Sequence, residues 1–164
     1  MAREVALHAP FPLSYVEHVN NLFMLFAVAA GAGVAAQAII NARLRFVLGA
    51  PVWAACAQFI VGLAMLGLVA LFTQQSPPAM GALGRANWWM WTGGLFGATF
   101  ILMSVIVTPK LGTALMMAAT IVGQLGAALV IDHYGWFGAT VIPISLTRML
   151  GAALLAAGVI LIRW

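Results

Sequence analysis

Charge is nearly missing from this chain. Of its 164 residues only 6% are Asp, Glu, Lys or Arg, and the acids are three: Glu4, Glu17 and Asp132. A soluble domain carries roughly 25% charged residues, so an ordinary water-facing surface cannot be built from this composition. Cysteine is down to one, Cys56, inside an apolar run. That excludes an intrachain disulfide, no Cys/His spacing suggests a metal site, and Cys56 reads as a small apolar residue. There is no Ser/His/Asp set, no H-E-x-x-H and no glycine-rich phosphate loop. His8, His18 and His133 are scattered over terminal or loop positions. The expectation is no enzyme, no cofactor and no metal. Carboxylates are also absent from the middle of every apolar run, which removes the titratable group at depth that proton-coupled cation exporters use.

Apolar residues make up 65% of the chain and mean hydropathy is +1.09. Crossing a hydrocarbon core takes about 20 predominantly apolar residues per helix. Five such runs follow one another with short connections. They are too long, and too weakly alternating, for barrel strands of roughly 10 residues. The fold class is therefore an all-α integral membrane protein, a bundle of five transmembrane helices over residues 22–40, 51–72, 88–107, 111–131 and 141–162. Residues 1–20 form an N-terminal polar or interfacial segment, and residues 21–164 the transmembrane domain. A cleavable secretory signal is not expected, because the order of charged start, apolar stretch and small-residue site is absent.

Boundaries rest on specific residues. Asn41, Arg43 and Arg45 close helix 1. Pro51 opens helix 2, where its missing N–H costs little. Gln74, Gln75, Ser76, Pro77 and Pro78 end it. Trp88, Trp89 and Trp91 anchor the start of helix 3 at the interface. Thr108-Pro109-Lys110 ends helix 3, and Asp132-His133-Tyr134-Gly135 ends helix 4. The formal charge of +4 and pI near 10.3 come from basic residues at run ends, a membrane-flank pattern rather than a nucleic-acid surface. Arg43, Arg45, Lys110 and Arg163 share one side and Arg3 and Arg85 the other, so the C-terminus is expected in the cytoplasm.

Polar residues inside spans are candidates for function. Thr113, Met117, Thr120 and Gln124 follow i, i+4, i+7, i+11 and share a face of helix 4. Trp88, Thr92 and Thr99 make a parallel stripe on helix 3. Gln37 and Asn41 lie one turn apart on helix 1, and Gln58 sits near the middle of helix 2. Two roles stand open for them: hydrogen bonds that hold helices together, or the lining of a polar cavity. The substrate-binding candidates are Gln37, Asn41, Gln58, Trp88, Thr99, Thr120 and Gln124. Asp132 and Arg148 approach the same membrane face and can form an ion pair or a gate. Glycines such as Gly93/Gly97 and Gly123/Gly126 suit close helix packing, and Gly151/Gly158, one heptad apart on helix 5, suit a dimer contact.

Several of these stretches resemble one family. Gly31-Ala32-Gly33-Val34-Ala35-Ala36-Gln37 followed by Asn41 and Leu44 is similar to the first helix of the YdcZ-like family, and Leu48-Gly49-Ala50-Pro51 to the opening of its second. Trp88-Trp89, Gly93-Gly94, Pro109-Lys110-Leu111-Gly112, Gly123-Gln124-Leu125, Ile131-Asp132-His133-Tyr134-Gly135 and Arg148-Met149-Leu150-Gly151 follow in order. The resemblance covers all five helices. It implies membership of the drug/metabolite transporter superfamily and a bacterial inner-membrane location. Small multidrug resistance exporters of that superfamily carry a glutamate midway along the first helix. Here the region reads Ala30-Gly31-Ala32-Gly33-Val34, with no acid. Their last helix pairs subunits through spaced glycines, as Gly151/Gly158 would. Ten-helix members resemble two inverted five-helix units, which implies an antiparallel homodimer here, or pairing with a paralogous five-helix subunit. The expected function is a small secondary transporter of a small metabolite or drug-like solute by alternating access. A neutral or zwitterionic solute suits amides and hydroxyls best. The rivals are a non-transporting membrane subunit or assembly factor, and a channel-like pore.

Overall fold

The computed structural model describes residues 13–164. The first twelve residues of the expected N-terminal segment lie outside the described residues; the rest of that segment is helical. Five long helices follow: α1 (Leu13–Leu48), α2 (Pro51–Phe72), α3 (Thr92–Leu111), α4 (Thr113–Tyr134) and α5 (Leu146–Arg163). A single helical turn at Met80–Leu83 and a 3₁₀ turn at Trp88–Trp91 separate α2 from α3. No strand occurs among the described residues. Each of the five carries a stretch long and apolar enough to cross a membrane.

The chain divides into two units, residues 1–37 and 38–164. The described part of the first is the N-terminal stretch of α1. The second contains the last turns of α1 and everything after them. In it, helices pack in chain order: α2 on α3, α3 on α4, and α4 on α5. Its buried apolar residues are mostly small or medium, with Ala38, Ala42, Ala54 and Ala55 beside Ile101, Val105, Met116 and Leu129. Large apolar side chains such as Leu63, Leu66 and Phe96 point outward. Lipid tails are as apolar as leucine, so burying leucine gains little, and association rests on close packing of small residues. Alanine, rather than glycine, does this within the chain. A Cβ built on Gly93, Gly97, Gly123, Gly126, Gly151 or Gly158 would meet open space.

Several boundaries differ from the sequence expectation. Asn41, Arg43 and Arg45 do not close α1; the helix continues to Leu48, since arginine is a good helix former and a polar residue does not itself break a helix. The interface tryptophans form a 3₁₀ turn, with the α-helix beginning at Thr92, whose Oγ1 donates to Trp89 O at 2.7 Å. Pro109 lies inside the last turn of α3, and the break comes at Gly112. Helix 5 starts at Leu146 and not at 141. Pro143 disfavours helix at the residue before it, and Ser145 caps the helix by accepting from Arg148 N–H at 3.3 Å. The remaining 18 residues span about 27 Å at 1.5 Å per residue, close to the hydrocarbon thickness.

Gly135 ends α4 in the left-handed region, φ 65°, with its N–H donating to Ile131 O. A Cβ there would stand 2.7 Å from Val141 Cγ2 and 3.3 Å from Ala139 O. Gly135→Ala is therefore expected to destabilise the folded protein by about 1–3 kcal/mol through backbone strain, with the clash in addition. Gly126→Ala, in an open helical position, is expected to stabilise it by roughly 0.5–1 kcal/mol. Equilibrium unfolding in detergent micelles checks both; equal effects of the two substitutions would remove this account of the α4 terminus.

Candidate functional site

The site grows from a proline. In an α-helix the N–H of residue i bonds the carbonyl of residue i−4, and proline has no N–H. Pro109 therefore leaves the carbonyl of Val105 without its helical donor. Val105 is fully buried, and a buried unpaired carbonyl is costly. Arg45, on the last turns of α1, fills the vacancy: its Nη1 donates to Val105 O at 3.1 Å. The guanidinium lies over the Phe46 ring, 4.7 Å from its centroid. The sequence reading placed Arg45 at a helix end as a membrane flank. Its half-buried role as a cross-helix donor was missed, although a proline in a final turn is itself a signal to look for an outside donor.

Around this bond, polar groups are buried. Asn41 is 5% exposed, Ser104 2% and Thr108 1%. Ser104 Oγ donates to Ile101 O in its own helix at 2.8 Å. Asn41 Nδ2, Gln58 Oε1 and Thr108 Oγ1 have no hydrogen-bond partner. Ser104 and Thr108 were not among the candidates: Thr108 falls beyond the expected end of helix 3, and Ser104, inside that span, lies off the stripe of Trp88, Thr92 and Thr99. Spaced i, i+4, Ser104 and Thr108 share the face that also carries buried Ile101 and Val105. A cavity of about 340 Å³ opens nearby, lined by Ile39, Ala42, Arg43, Phe46, Thr108, Pro109, Gly112 and Thr113.

The other candidates are placed differently. Gln37 is half-buried on α1. Thr99 is exposed, and its Oγ1 donates to Leu95 O at 2.9 Å. Thr120 is half-buried with Oγ1 3.8 Å from Met116 Sδ. Gln124 is exposed at the middle of α4. Trp88 is 79% exposed beside a shallow aromatic recess formed with Trp89, Met90, Phe137 and Gly138. Asn41 is thus buried and Gln58, half-buried on α2, keeps one buried oxygen without a partner, while Thr99 and Gln124 face out of the single chain.

A second polar cluster ties the α4–α5 connection. Arg148 Nη2 donates to Asp132 Oδ2 at 2.5 Å, and Nη1 to Ile142 O at 3.2 Å. Ile142 N–H donates to Asp132 O at 2.8 Å, and Ile144 N–H to His133 Nδ1 at 3.3 Å. The non-helical stretch before α5 is thereby clamped to the last turn of α4. Trp89 meets Phe137 with ring centroids 5.6 Å apart. Among the described residues no group of three or more His, Cys, Asp or Glu gathers as a metal would require.

The family model described as "Putative inner membrane exporter, YdcZ" matches residues 22–161. The chain belongs to this family. The match runs from the apolar part of α1 to the end of α5, so the buried polar set and both clusters lie in the YdcZ region. Five apolar spans make this YdcZ protein a multi-pass membrane protein, and its exporter family points to inner-membrane transport rather than to an enzyme. A search of the curated proteins and a search of the solved structures each find no match.

The arrangement makes the Arg45 contact testable apart from transport. Arg45→Met is expected to cost about 1–3 kcal/mol by leaving the buried Val105 carbonyl unpaired. Pro109→Ala returns a local N–H to that carbonyl, so in the Pro109→Ala background the same arginine substitution should cost less than half as much. A double-mutant cycle of unfolding free energies measures this coupling; additive effects would break the link between the proline and the arginine.

Proposed function

We propose that this chain is a secondary transporter that works as a dimer, binding a small neutral or zwitterionic solute against polar groups of α1 to α4 and alternating access by rocking of its helices. The observation that carries this reading is the pair of buried amide atoms without partners, Asn41 Nδ2 and Gln58 Oε1. In an apolar setting each unmet hydrogen bond costs about 1–3 kcal/mol. A solute bearing a donor and an acceptor relieves that cost in its bound state. The cost is unrelieved when the site is empty, which favours occupation by such a solute.

The dimer part of the reading has separate support. Gln124 exposes an amide halfway along α4, where lipid offers no hydrogen bond. Gly151 and Gly158 leave open space on α5, room for close approach of another helix. A second copy, antiparallel, or a paralogous five-helix subunit would cover these positions. In that arrangement Thr99 and Thr120 join the lining, Trp88 stands at the mouth, and the Asp132–Arg148 pair serves as an outer gate. The excess of Arg43, Arg45, Lys110 and Arg163 on one side supports a cytoplasmic C-terminus.

Purified protein in liposomes tests the reading, using solid-supported-membrane currents and radiolabelled counterflow across amino acids, amines and small organic acids. The expected result is saturable flux with one solute class. Asn41→Leu and Gln124→Leu should each lower that flux by roughly tenfold, the equivalent of one lost hydrogen bond, in protein that remains folded. Wild-type flux in both variants would overturn the site. No flux across the panel from the isolated protein would overturn the transporter reading in favour of a non-transporting subunit. Gly158→Leu is expected to turn the dimer into a monomer by light scattering; a persisting dimer would overturn the α5 contact.

A further inference from the structure

The cavity between the last turns of α1, the end of α3 and the start of α4 has features that the solute-binding reading does not use. Its chemistry is that of an anion receptor. Arg43 lines it and is exposed. Asp132 is the acid whose side chain the structure describes, and Arg148 holds it at the α4–α5 connection. No salt bridge involves Arg43 among the described residues.

The second component is the N-terminus of α4, a helix of 22 residues. Gly112 and Thr113 both line the cavity. The link from α3 to α4 is Gly112 alone, at φ 81° and ψ 157°, and no side chain caps the helix. The first bond inside this end is Met116 N–H to Gly112 O at 3.1 Å. The amides of Thr113, Ala114 and Leu115 precede it, and such free amides at a helix start favour an anion.

The third component is independent of the first two and points to a missing ligand. Thr108 lines the same cavity, is 1% exposed, and its Oγ1 has no partner. Three other hydroxyls of this region bond carbonyls three or four residues earlier: Thr92 to Trp89 O, Thr99 to Leu95 O and Ser104 to Ile101 O. Thr108 does not. A buried hydroxyl without a partner calls for an explanation, and an oxygen acceptor in the cavity supplies one.

We propose that this cavity binds an oxyanion, a carboxylate or a phosphate group, through the Arg43 guanidinium, the Thr108 hydroxyl and the amide end of α4. Ile39 and Phe46 form apolar walls, which lower the local dielectric and strengthen each charge-assisted bond. The volume of about 340 Å³ accommodates a small anion or the headgroup phosphate of a phospholipid. Both present the same oxygens. The site is separate from the amides of Asn41 and Gln58, and its test reads binding, so it stands or falls independently of transport.

The test uses the full-length protein in phosphatidylcholine nanodiscs, titrated calorimetrically with inorganic phosphate and with acetate. In parallel, native mass spectrometry counts the phosphatidylglycerol retained by protein taken from membranes containing that lipid. Saturable phosphate or acetate binding identifies a soluble oxyanion as occupant. Tightly retained phosphatidylglycerol identifies the headgroup. Either supports the site, provided that Arg43→Gln weakens it by roughly tenfold or more, as loss of a charge-assisted pair should. Thr108→Val should weaken it less, Thr108→Ser should preserve it, and Arg163→Gln, outside the cavity, should leave it unchanged. Gel filtration of Arg43→Gln and Thr108→Ser verifies that they fold. Absence of both anion binding and Arg43-dependent lipid retention overturns the proposal. So does an effect of Arg163→Gln as large as that of Arg43→Gln, which would indicate diffuse charge rather than a built site.

Discussion

A hydrocarbon interior offers no hydrogen bonds, so every backbone group within it must be paired by the protein itself. Much of the described structure in the second unit follows from how the chain meets that demand at one place. Pro109 withholds an N–H from Val105, and Arg45 supplies the replacement at 3.1 Å. A long cationic side chain is well suited to this task, because its stem crosses apolar surface while its head bonds. The contact ties the last turns of α1 to α3. It holds them where Asn41, Ser104 and Thr108 are buried and where the cavity beside Arg43 and Gly112 can form. The proline that weakens α3 locally is therefore also the reason why α1 is bound to it.

Packing obeys the same solvent. Leucine and phenylalanine gain little by leaving lipid, and apart from residues such as Leu129 they stay largely outside. Alanines approach instead, and van der Waals fit takes the place of hydrophobic burial. Polar atoms then become the conspicuous objects. Those on α3 that bond to their own helix, Thr99 and Ser104, need nothing more. The unpartnered ones, on Asn41, Gln58 and Thr108, lie in three different helices. The clamp around Asp132 and Arg148 contrasts with them. There both terminal nitrogens of Arg148 find acceptors, Asp132 Oδ2 and Ile142 O, and the contacts join α4 to the start of α5.

The parts of this architecture legible in the sequence were those set by local chemistry. Pro51 and the run Gln74-Gln75-Ser76-Pro77-Pro78 bracket α2 because proline and the turn residues act within a few positions. The end of α1 was not legible from Arg43 and Arg45, since a charged residue near a membrane flank looks the same whether it points to water or to a carbonyl in another helix. The start of α5 was misplaced because Val141 and Ile142 are apolar enough for a span. Their backbone is instead held by Asp132 and by the restriction that Pro143 imposes. Thr108 was passed over as a helix end, and the cavity it lines is shared with Ile39, Ala42, Arg43 and Phe46, more than sixty positions earlier in the chain.

Composition and run length alone determined that this is a five-span membrane protein, because a bilayer admits few solutions for a chain so apolar. The ordered motifs pointed to the YdcZ family, and the family match agrees. Tertiary structure alone decided which polar atoms are buried without partners, that Arg45 serves Val105, and that Arg43, Thr108 and the start of α4 share one cavity. Sequence periodicity reports which face of a helix a residue occupies. It does not report which helix that face meets, and hydrogen bonding in a solvent without donors is settled only where two helices meet.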